Sequence, residues 1–390
     1  MDYNEVKINL RKFGFPLSTE NALNQIQTII NGETSRKQHL NEDLAMDLIS
    51  EFIFCETNEE GKSTKPMSRI RYLELLVMIC EYFNKTKIKP DNDSCCGDTA
   101  LNAIFMTLFP QFGAPPQRTN MLVSLVSLAI STYSNLILQS AGVQMQQLGC
   151  SSKYSSQLAD GLVKKFFTFI SADNTSIHLL PQNAPLFTAN LMTSLSELYF
   201  NTKTTDTNMS IKEPPRIVLE TVVRWINSDP CLCFTAHYTD LQRALPSGAI
   251  PMAATLPFLG LFRWCFFAPL SVKNNKDLEL YSELHCALIE SVMQGWKVYS
   301  EQNPRISRPY TLSVHSVIPQ QLKDLIEETI KSNDQASLHA VEIVVERLTQ
   351  SIHAAIISDT IFGNKQDLVN QLESLPENEV LKTLIKRIQV

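Results

Sequence analysis

The stretch PFLGLFRWCFFAPL, from Pro257 to Leu270, restricts the fold more than any other part of the sequence, because Arg263 is its single charged residue. So apolar a run must lie in a bilayer or in a protein core. The wider apolar stretch, Ala249–Val272, is divided by Pro251, Pro257 and Pro269, and its longest proline-free piece, Phe258–Ala268, makes only about 16 Å of helix. A hydrocarbon core is about 30 Å thick. We therefore predict a buried helix of a soluble fold and no membrane span.

The low glycine content indicates the fold class. The chain has 12 glycines in 390 residues, about half of the usual frequency of ~7%. Glycine supplies many turns of β-rich and glycine-loop proteins, so its scarcity favours helices. Apolar residues make up 44% and charged residues 19% of the chain, which is typical of globular proteins. We expect most of the chain to be folded and helical.

Charge and cysteine content argue against nucleic-acid binding and a metal site. The net charge of -6 does not suit a surface that neutralises phosphates. The first residues, MDYNEVKINLRKFGFPL, lack the apolar core of a signal peptide, so the nine cysteines are expected to be reduced thiols. The close pairs Cys95-Cys96 and Cys231-x-Cys233 lack the two-residue gap that is usual in zinc sites. We predict no metal and no direct nucleic-acid partner.

Two segments of the sequence resemble each other at an offset of 39 residues: LETVVRWINSDPCL (Leu219–Leu232) and FLGLFRWCFFAPLS (Phe258–Ser271). Each is interpreted as an apolar helix that ends in Arg-Trp and is stopped by a proline. A period near 40 is typical of HEAT and armadillo repeats. We predict an all-α, right-handed α-solenoid of stacked helical pairs, although two apolar helices can also resemble each other by chance. The fold-critical repeat positions are Trp225, Pro230, Arg263, Trp264 and Pro269.

The arginines of this repeated pattern, Arg224 and Arg263, lie inside apolar faces. A buried guanidinium is costly unless it is paired. We expect each arginine to reach an internal carboxylate or a helix-end carbonyl while Trp225 and Trp264 pack between repeats. The alternative is that the arginines bind an acidic external partner.

Apolar periodicity, capping residues and prolines predict helices along most of the chain. Ser18 or Thr19, Asn41 and Ser68 are the candidate N-caps of the first three helices. The predicted helices are 18–30, 41–55, 68–83, 98–108, 119–148 with a break, 155–170, 184–201, 215–227, 239–245, 253–268, 276–302, 316–332, 334–360, 365–374 and 377–389. We expect a continuous helical-repeat scaffold over 41–390, preceded by one helix within an extension at 1–40.

The helix predicted at 68–83 has few polar positions. Its apolar residues include Leu73, Val77, Ile79, Cys80 and Phe83. A helix that is apolar on most sides is usually buried. We expect it to lie at the centre of a layer.

Catalytic motifs are absent from the sequence: it has no GxxxxGK[ST] loop, no GxSxG elbow and no HExxH helix. His339, Glu342 and Glu346 share one helix face, which we interpret as the polar side of an amphipathic helix. Glu327-Glu328 is expected to be solvated, and His285 to be packed or partly exposed. We predict no catalytic, cofactor or metal site. An unrecognised helical enzyme would instead need a water-excluding pocket with convergent titratable groups, and a cleft that holds His339, Glu342 and Glu346 beside another acid would favour it. The other alternative is a free-standing peptide-binding adaptor.

The run PxxGLxRWCxxAPL at 257–270, preceded by WIxxDP at 225–230, resembles the Integrator complex subunit 15 family. The resemblance extends in order over about residues 40 to 390. Further matching segments are EFIF (51–54), LELLVMICEYF (73–83), APLFTANLMTSLSELY (184–199), LYSELH (280–285) and QDLVNQLESLPENEVLKTLI (366–385). The first 40 residues match poorly, and the sequence ends at Val390, where vertebrate members of the family continue into a Pro- and His-rich tail.

The resemblance implies a nuclear, non-catalytic scaffold subunit of Integrator. This metazoan complex associates with RNA polymerase II and cleaves nascent RNA, and its nuclease and phosphatase are other subunits. The family is associated with the peripheral module of subunits 10, 13 and 14, and an α-solenoid fold is expected. The implied role is to bridge this module during small nuclear RNA processing, transcript 3′-end processing and transcription termination. Subunit 10 is the expected direct neighbour, and transcription factors are further candidate partners.

Overall fold

The computed structural model forms two compact units, Met1–Leu148 and Gly149–Val390, and nearly all of its regular structure is helical. The predicted all-α class is therefore confirmed. The residues that the structure describes are 3–31, 38–54, 56–57, 63–65, 67–86, 94–109, 116–167, 175–200, 212–236, 256–302, 309–332 and 334–389.

Helices α1 to α7 build the first unit, together with a short antiparallel strand pair. The helices are α1 (Tyr3–Arg11), α2 (Leu17–Asn31), α3 (Gln38–Phe52), α4 (Arg69–Thr86), α5 (Ser94–Leu108), α6 (Pro116–Thr132) and α7 (Asn135–Leu148), and the strands are β1 (Glu56–Thr57) and β2 (Ser63–Lys65). Helix α2 packs on α3 and α5, and α7 packs on α5 and α6. Phe83, Phe105 and Phe109 form the centre of this core, where the latter two ring centroids are 5.1 Å apart.

The second unit contains the remaining helices and a parallel strand pair. Its α-helices are α8 (Lys153–Leu162), α9 (Thr175–His178), α10 (Leu180–Asn183), α11 (Pro185–Leu198), α12 (Arg216–Ser228), α13 (Phe258–Ser271), α14 (Asn275–Glu290), α15 (Trp296–Gln302), α16 (Val314–Val317), α17 (Gln320–Lys331), α18 (Gln335–Ile357), α19 (Lys365–Glu373) and α20 (Glu379–Gln389). The other elements are π-helical Val163–Phe167 and Ser291–Gly295, 3-10 helical Leu232–Ala236, and strands β3 (Leu312–Ser313) and β4 (Ile361–Phe362).

Helix α13 contains the apolar run of the sequence and forms the core of the second unit. It packs against α11, α14, α17 and α18, so its residues from Phe258 to Ala268 are buried apart from the half-buried Arg263. Gly260 permits the close approach to α11, because a Cβ atom at this position would overlap the side chain of Ser196. Among the helices that the structure describes, none is both long enough and apolar enough to cross a membrane.

The predicted helix boundaries differ from the observed ones mainly at capping residues. Helix α2 begins at Leu17, and Thr19 lies inside it with its hydroxyl donating to the carbonyl of Phe52. Helix α3 begins three residues before Asn41, so the caps predicted for these two helices were wrong. Ser68 is confirmed as a cap, because its hydroxyl accepts a hydrogen bond from the backbone N–H of Arg71.

The structure also contains short helices that periodicity did not predict, namely α1, α9 and α10. The helix predicted at 239–245 lies outside the described residues. The helix predicted at 253–268 begins at Phe258 and continues to Ser271. Helices α9 and α10 have four residues each, which is too short for apolar periodicity to show. Helix α1 has nine residues and was missed although α19, of equal length, was predicted.

Candidate protein-interaction grooves

The two tryptophans of the repeated pattern are buried to 0% exposure. The indole N–H of Trp225 donates to the carbonyl of Ile177 at 2.8 Å, and that of Trp264 donates to the carbonyl of Ser196 at 3.2 Å. Each ring thus anchors its helix to the backbone of an earlier one while it fills the core. These contacts support an interior role for both rings.

Pro230 lies in the turn after α12 and contacts the π-helical segment Ser291–Gly295. The hydroxyl of Ser291 donates to the carbonyl of Pro230. The backbone at Gly295 comes so near to this carbonyl that a Cβ atom would collide with it. The turn is therefore held against the end of α14 by a hydrogen bond and by close backbone contact.

Pro269 lies inside α13, which continues to Ser271, so the prediction that it ends this helix was wrong. Proline has no N–H, and the carbonyl of Cys265 therefore loses its partner four residues along the helix. Arg347 of α18 supplies the missing donor, because its Nη1 lies 2.9 Å from this carbonyl and its Nη2 lies 2.6 Å from Ser282 Oγ. Burial lowers the pKa of Arg347, whose guanidinium replaces the missing backbone donor.

The arginines of the repeated pattern differ in position. Arg263 is half-buried, and its Nη2 lies 3.5 Å from the carbonyl of Ser316 in the last turn of α16. The predicted helix-end carbonyl is thus found, at the long limit of a hydrogen bond. Arg224 is exposed on α12, so the prediction that it reaches an interior partner was wrong.

His285 packs inside the second unit, as predicted. Its Nε2 lies 3.1 Å from the carbonyl oxygen of Arg347 and 3.2 Å from Ser351 Oγ, and its ring meets that of Phe262 edge-on. Burial lowers the pKa of His285 to about 4. The neutral ring can then donate to the Arg347 carbonyl without a buried charge.

The face predicted from His339, Glu342 and Glu346 lies on the surface of α18. The Nδ1 atom of His339 is 3.5 Å from Oε2 of Glu342, and both side chains are exposed. The interpretation of this face as the polar side of an amphipathic helix is confirmed. Glu327 and Glu328 are likewise exposed on α17.

His339, Glu342 and Glu346 border an open groove of about 830 Å³ between α17, α18 and α20, which we call the acidic groove. It brings the consecutive helices α17 and α18 together with the start of α20, which is distant from them in sequence. Its apolar floor includes Ile330, Leu338 and Val380, and its carboxylate rim includes Glu342, Glu346, Glu377 and Glu379. Because His339 and Glu342 are largely exposed, the acidic groove lacks the water-excluding character of an enzyme pocket.

A second groove, of about 920 Å³, lies between α2 and α4 in the first unit, and we call it the α4 groove. Leu73 and Val77 of α4 line it and are 61% and 51% exposed. The opposite helix face buries Ile79 and Phe83. The expectation that α4 is central to a layer was therefore wrong for Leu73 and Val77, because no described element covers them.

Several cysteine thiols lie in the core and are chemically quiet there. Burial raises the pKa of Cys150, Cys233 and Cys265 to about 12, so these thiols stay protonated and weakly nucleophilic. Within the described part of the chain, no group of three His, Cys, Asp or Glu side chains is placed to hold a metal ion.

Fold and surface together define a class: an all-helical protein whose described helices leave open grooves between them, namely the acidic groove and the α4 groove. The family model described as Integrator complex subunit 15 matches residues 4–377 of this chain. The chain therefore belongs to the Integrator complex subunit 15 family. The resemblance of the segments quoted above is confirmed, and the match also includes most of the first 40 residues.

Individual relatives are similar over most of their length. Integrator complex subunit 15 of Drosophila melanogaster is 31% identical over 388 residues, which cover 97% of this chain and 95% of that protein. Integrator complex subunit 15 of Danio rerio is 27% identical and that of Homo sapiens is 26% identical. These matches cover 88% and 87% of this chain, and 72% and 77% of those two proteins.

Proposed function

We propose that this chain is a non-catalytic scaffold subunit of the nuclear Integrator complex. In this role it bridges the peripheral module during RNA polymerase II transcript 3′-end processing and transcription termination, with subunit 10 as its direct neighbour and subunits 13 and 14 nearby. The observation that carries the proposal is family similarity over nearly the whole chain.

Two features of the structure support binding in preference to catalysis. The grooves are open, and each places exposed apolar side chains beside charged ones, as protein-binding surfaces do. The titratable groups that periodicity singled out are either buried in structural contacts, as His285 is, or solvent-exposed, as His339 is. A scaffold needs such surfaces and no reactive centre.

The proposed architecture is a right-handed solenoid of stacked helical pairs, armadillo/HEAT-like, that continues over 41–390. Consecutive helices that pack together support it, namely α13 on α14 and α17 on α18. Alternate helices of the second unit also pack together, α11 on α13 and α12 on α14, as stacked pairs require.

The test of this function is affinity purification of the tagged full chain from nuclear extract, followed by mass spectrometry. We expect Integrator subunits, with subunit 10 enriched most. His339→Ala and Glu342→Ala should each leave transcript 3′-end processing intact in the complexes that assemble. If one of these substitutions abolished processing while the complex stayed assembled, the scaffold role would be wrong and a catalytic one would replace it. Recovery of short peptides with no Integrator subunit would favour a free-standing adaptor.

A further inference from the structure

The acidic groove presents an apolar floor to solvent. Ile330, Leu338 and Val380 come from three different helices, α17, α18 and α20, and are 37%, 43% and 44% exposed. Large apolar side chains that separate helices bring together on a surface are characteristic of binding sites. We therefore expect a molecule that binds in the acidic groove to cover this floor with an apolar face.

The rim of the acidic groove sets the charge of that occupant. Four glutamates line the groove against one lysine, Lys382. The ammonium of Lys382 lies 3.0 Å from Glu377 and 3.5 Å from Glu379, so it offsets charge on the α20 side. On the α18 side, Glu342 and Glu346 are one helical turn apart, which leaves the excess negative charge along that wall. Complementary positive charge would be attracted there.

We propose that the acidic groove binds a short amphipathic helix of another Integrator subunit, with its apolar face on Leu338 and Val380 and with Lys or Arg side chains at Glu342 and Glu346. This inference rests on the proposed function and adds the chemistry of the partner. An amphipathic helix commonly binds in an apolar groove, and its own apolar residues, spaced at i, i+3 or i+4, and i+7, make the contacts. Nucleic acid does not fit, because a carboxylate rim repels phosphates.

The α4 groove does not select an occupant in the same way. Three carboxylates, those of Glu20, Glu74 and Glu81, line it together with the cations of Arg71 and Lys85. Lys85 is already paired with Glu81 at 3.3 Å. With charges this close to balance, nothing in the α4 groove distinguishes a basic partner from an acidic one.

The experiment compares the tagged full chain with the variant Glu342→Lys/Glu346→Lys in affinity purification from nuclear extract. The matched control is Glu279→Lys/Glu283→Lys, which reverses two exposed glutamates at the same i, i+4 spacing on α14. Because Glu342, Glu279 and Glu283 are exposed and Glu346 is half-buried at the groove rim, neither variant should unfold the protein, and the melting temperature of each variant checks this. We expect the groove variant to lose at least one Integrator subunit by about tenfold or more, which corresponds to about 1.4 kcal/mol, while the control recovers the full set.

Photocrosslinking from position 338 then identifies what lies in the acidic groove. A benzophenone amino acid in place of Leu338 should crosslink to a segment of the lost subunit that has helical apolar periodicity and Lys or Arg at its edges. Full recovery of every subunit by the groove variant would overturn this proposal and leave the proposed function standing. A crosslink to RNA, to an acidic segment or to a second copy of this chain would also overturn it. Recovery of no Integrator subunit by the unmodified chain would overturn the proposed function and this proposal together.

Discussion

Trp225 and Trp264 combine complete burial with an indole hydrogen bond. Truncation of either ring leaves a cavity and an unpaired carbonyl. We expect Trp225→Ala and Trp264→Ala each to lower the free energy of unfolding by about 3 to 5 kcal/mol, measured by urea denaturation. The half-buried Trp296 is the matched control, and Trp296→Ala should cost less. Unchanged stability with lost partner binding would place the buried rings at an interface instead.

His285 should make stability depend on pH. Burial lowers its pKa to about 4, below the value of about 6.5 in an unfolded chain. Between these values the unfolded state binds the extra proton, so stability is highest above pH 6.5 and falls as the pH drops toward 4. Titration of His285 should therefore lower the free energy of unfolding of the wild-type protein by about 2 kcal/mol between pH 7.5 and pH 5.

The variant His285→Gln isolates this contribution, because it can still donate to the Arg347 carbonyl but does not titrate. The free energy of unfolding is measured by urea denaturation at pH 7.5 and pH 5. Its decrease between the two pH values should be about 2 kcal/mol smaller for His285→Gln than for the wild type. His339→Gln, at an exposed position, should keep the wild-type dependence. Equal slopes for the wild type and His285→Gln would mean that the buried ring is already protonated at pH 5.

At the scale of elements, α13 depends on α18 to complete its last turn. The carbonyl of Cys265, left free by Pro269, is satisfied by Arg347. We expect Arg347→Met to cost about 1 to 3 kcal/mol, because it leaves this buried carbonyl unpaired. Pro269→Ala restores the N–H of the helix, so the same substitution in the Pro269→Ala background should cost about 1 kcal/mol less. A double-mutant cycle by urea denaturation measures this coupling. Strictly additive effects would show that the carbonyl has another donor.

This contact also shows which parts of the elements were predictable. Apolar periodicity identified α13 as a buried helix, since the run from Phe258 to Ala268 leaves few polar positions. It could not identify Arg347 as the donor for Cys265, because the two residues are 82 positions apart and the pairing depends on tertiary packing. For the same reason, the pattern of α4 predicted a helix correctly but not that Leu73 and Val77 would remain exposed. Apolar periodicity shows which face of a helix is apolar but not which element packs on that face.

The candidate site was predictable to a similar extent. The spacing of His339, Glu342 and Glu346 placed them correctly on one face of α18, where the first two are exposed and Glu346 is half-buried. The acidic groove that they border also needs Val380 and Glu377, which follow α19 in the chain and reach α18 only because α20 packs against it. Local sequence carries no signal for that long-range packing. A groove between helices is thus visible only once the helices are placed.

At the scale of the whole molecule, the second unit should fold without the first. Helix α13 and all four of its main neighbours belong to residues 149–390, so this fragment contains its own core, as an independent domain does. We expect it to give a helical circular dichroism spectrum and one cooperative melting transition. The proposal of a continuous scaffold over 41–390 adds a second expectation, because stacked units stabilise their neighbours: the fragment should melt several degrees below the full chain.

The two expectations can fail separately. Calorimetry of the fragment and of the full chain at equal concentration measures both melting temperatures. A second fragment that begins a few residues earlier, within α7, is the control for damage at the new terminus, and its melting temperature should be lowered in the same way. A melting temperature equal to that of the full chain would refute the continuous scaffold while the independent core remains. A broad transition with no cooperative unfolding would refute the independent core, since α13 would then need residues before 149 to stay buried.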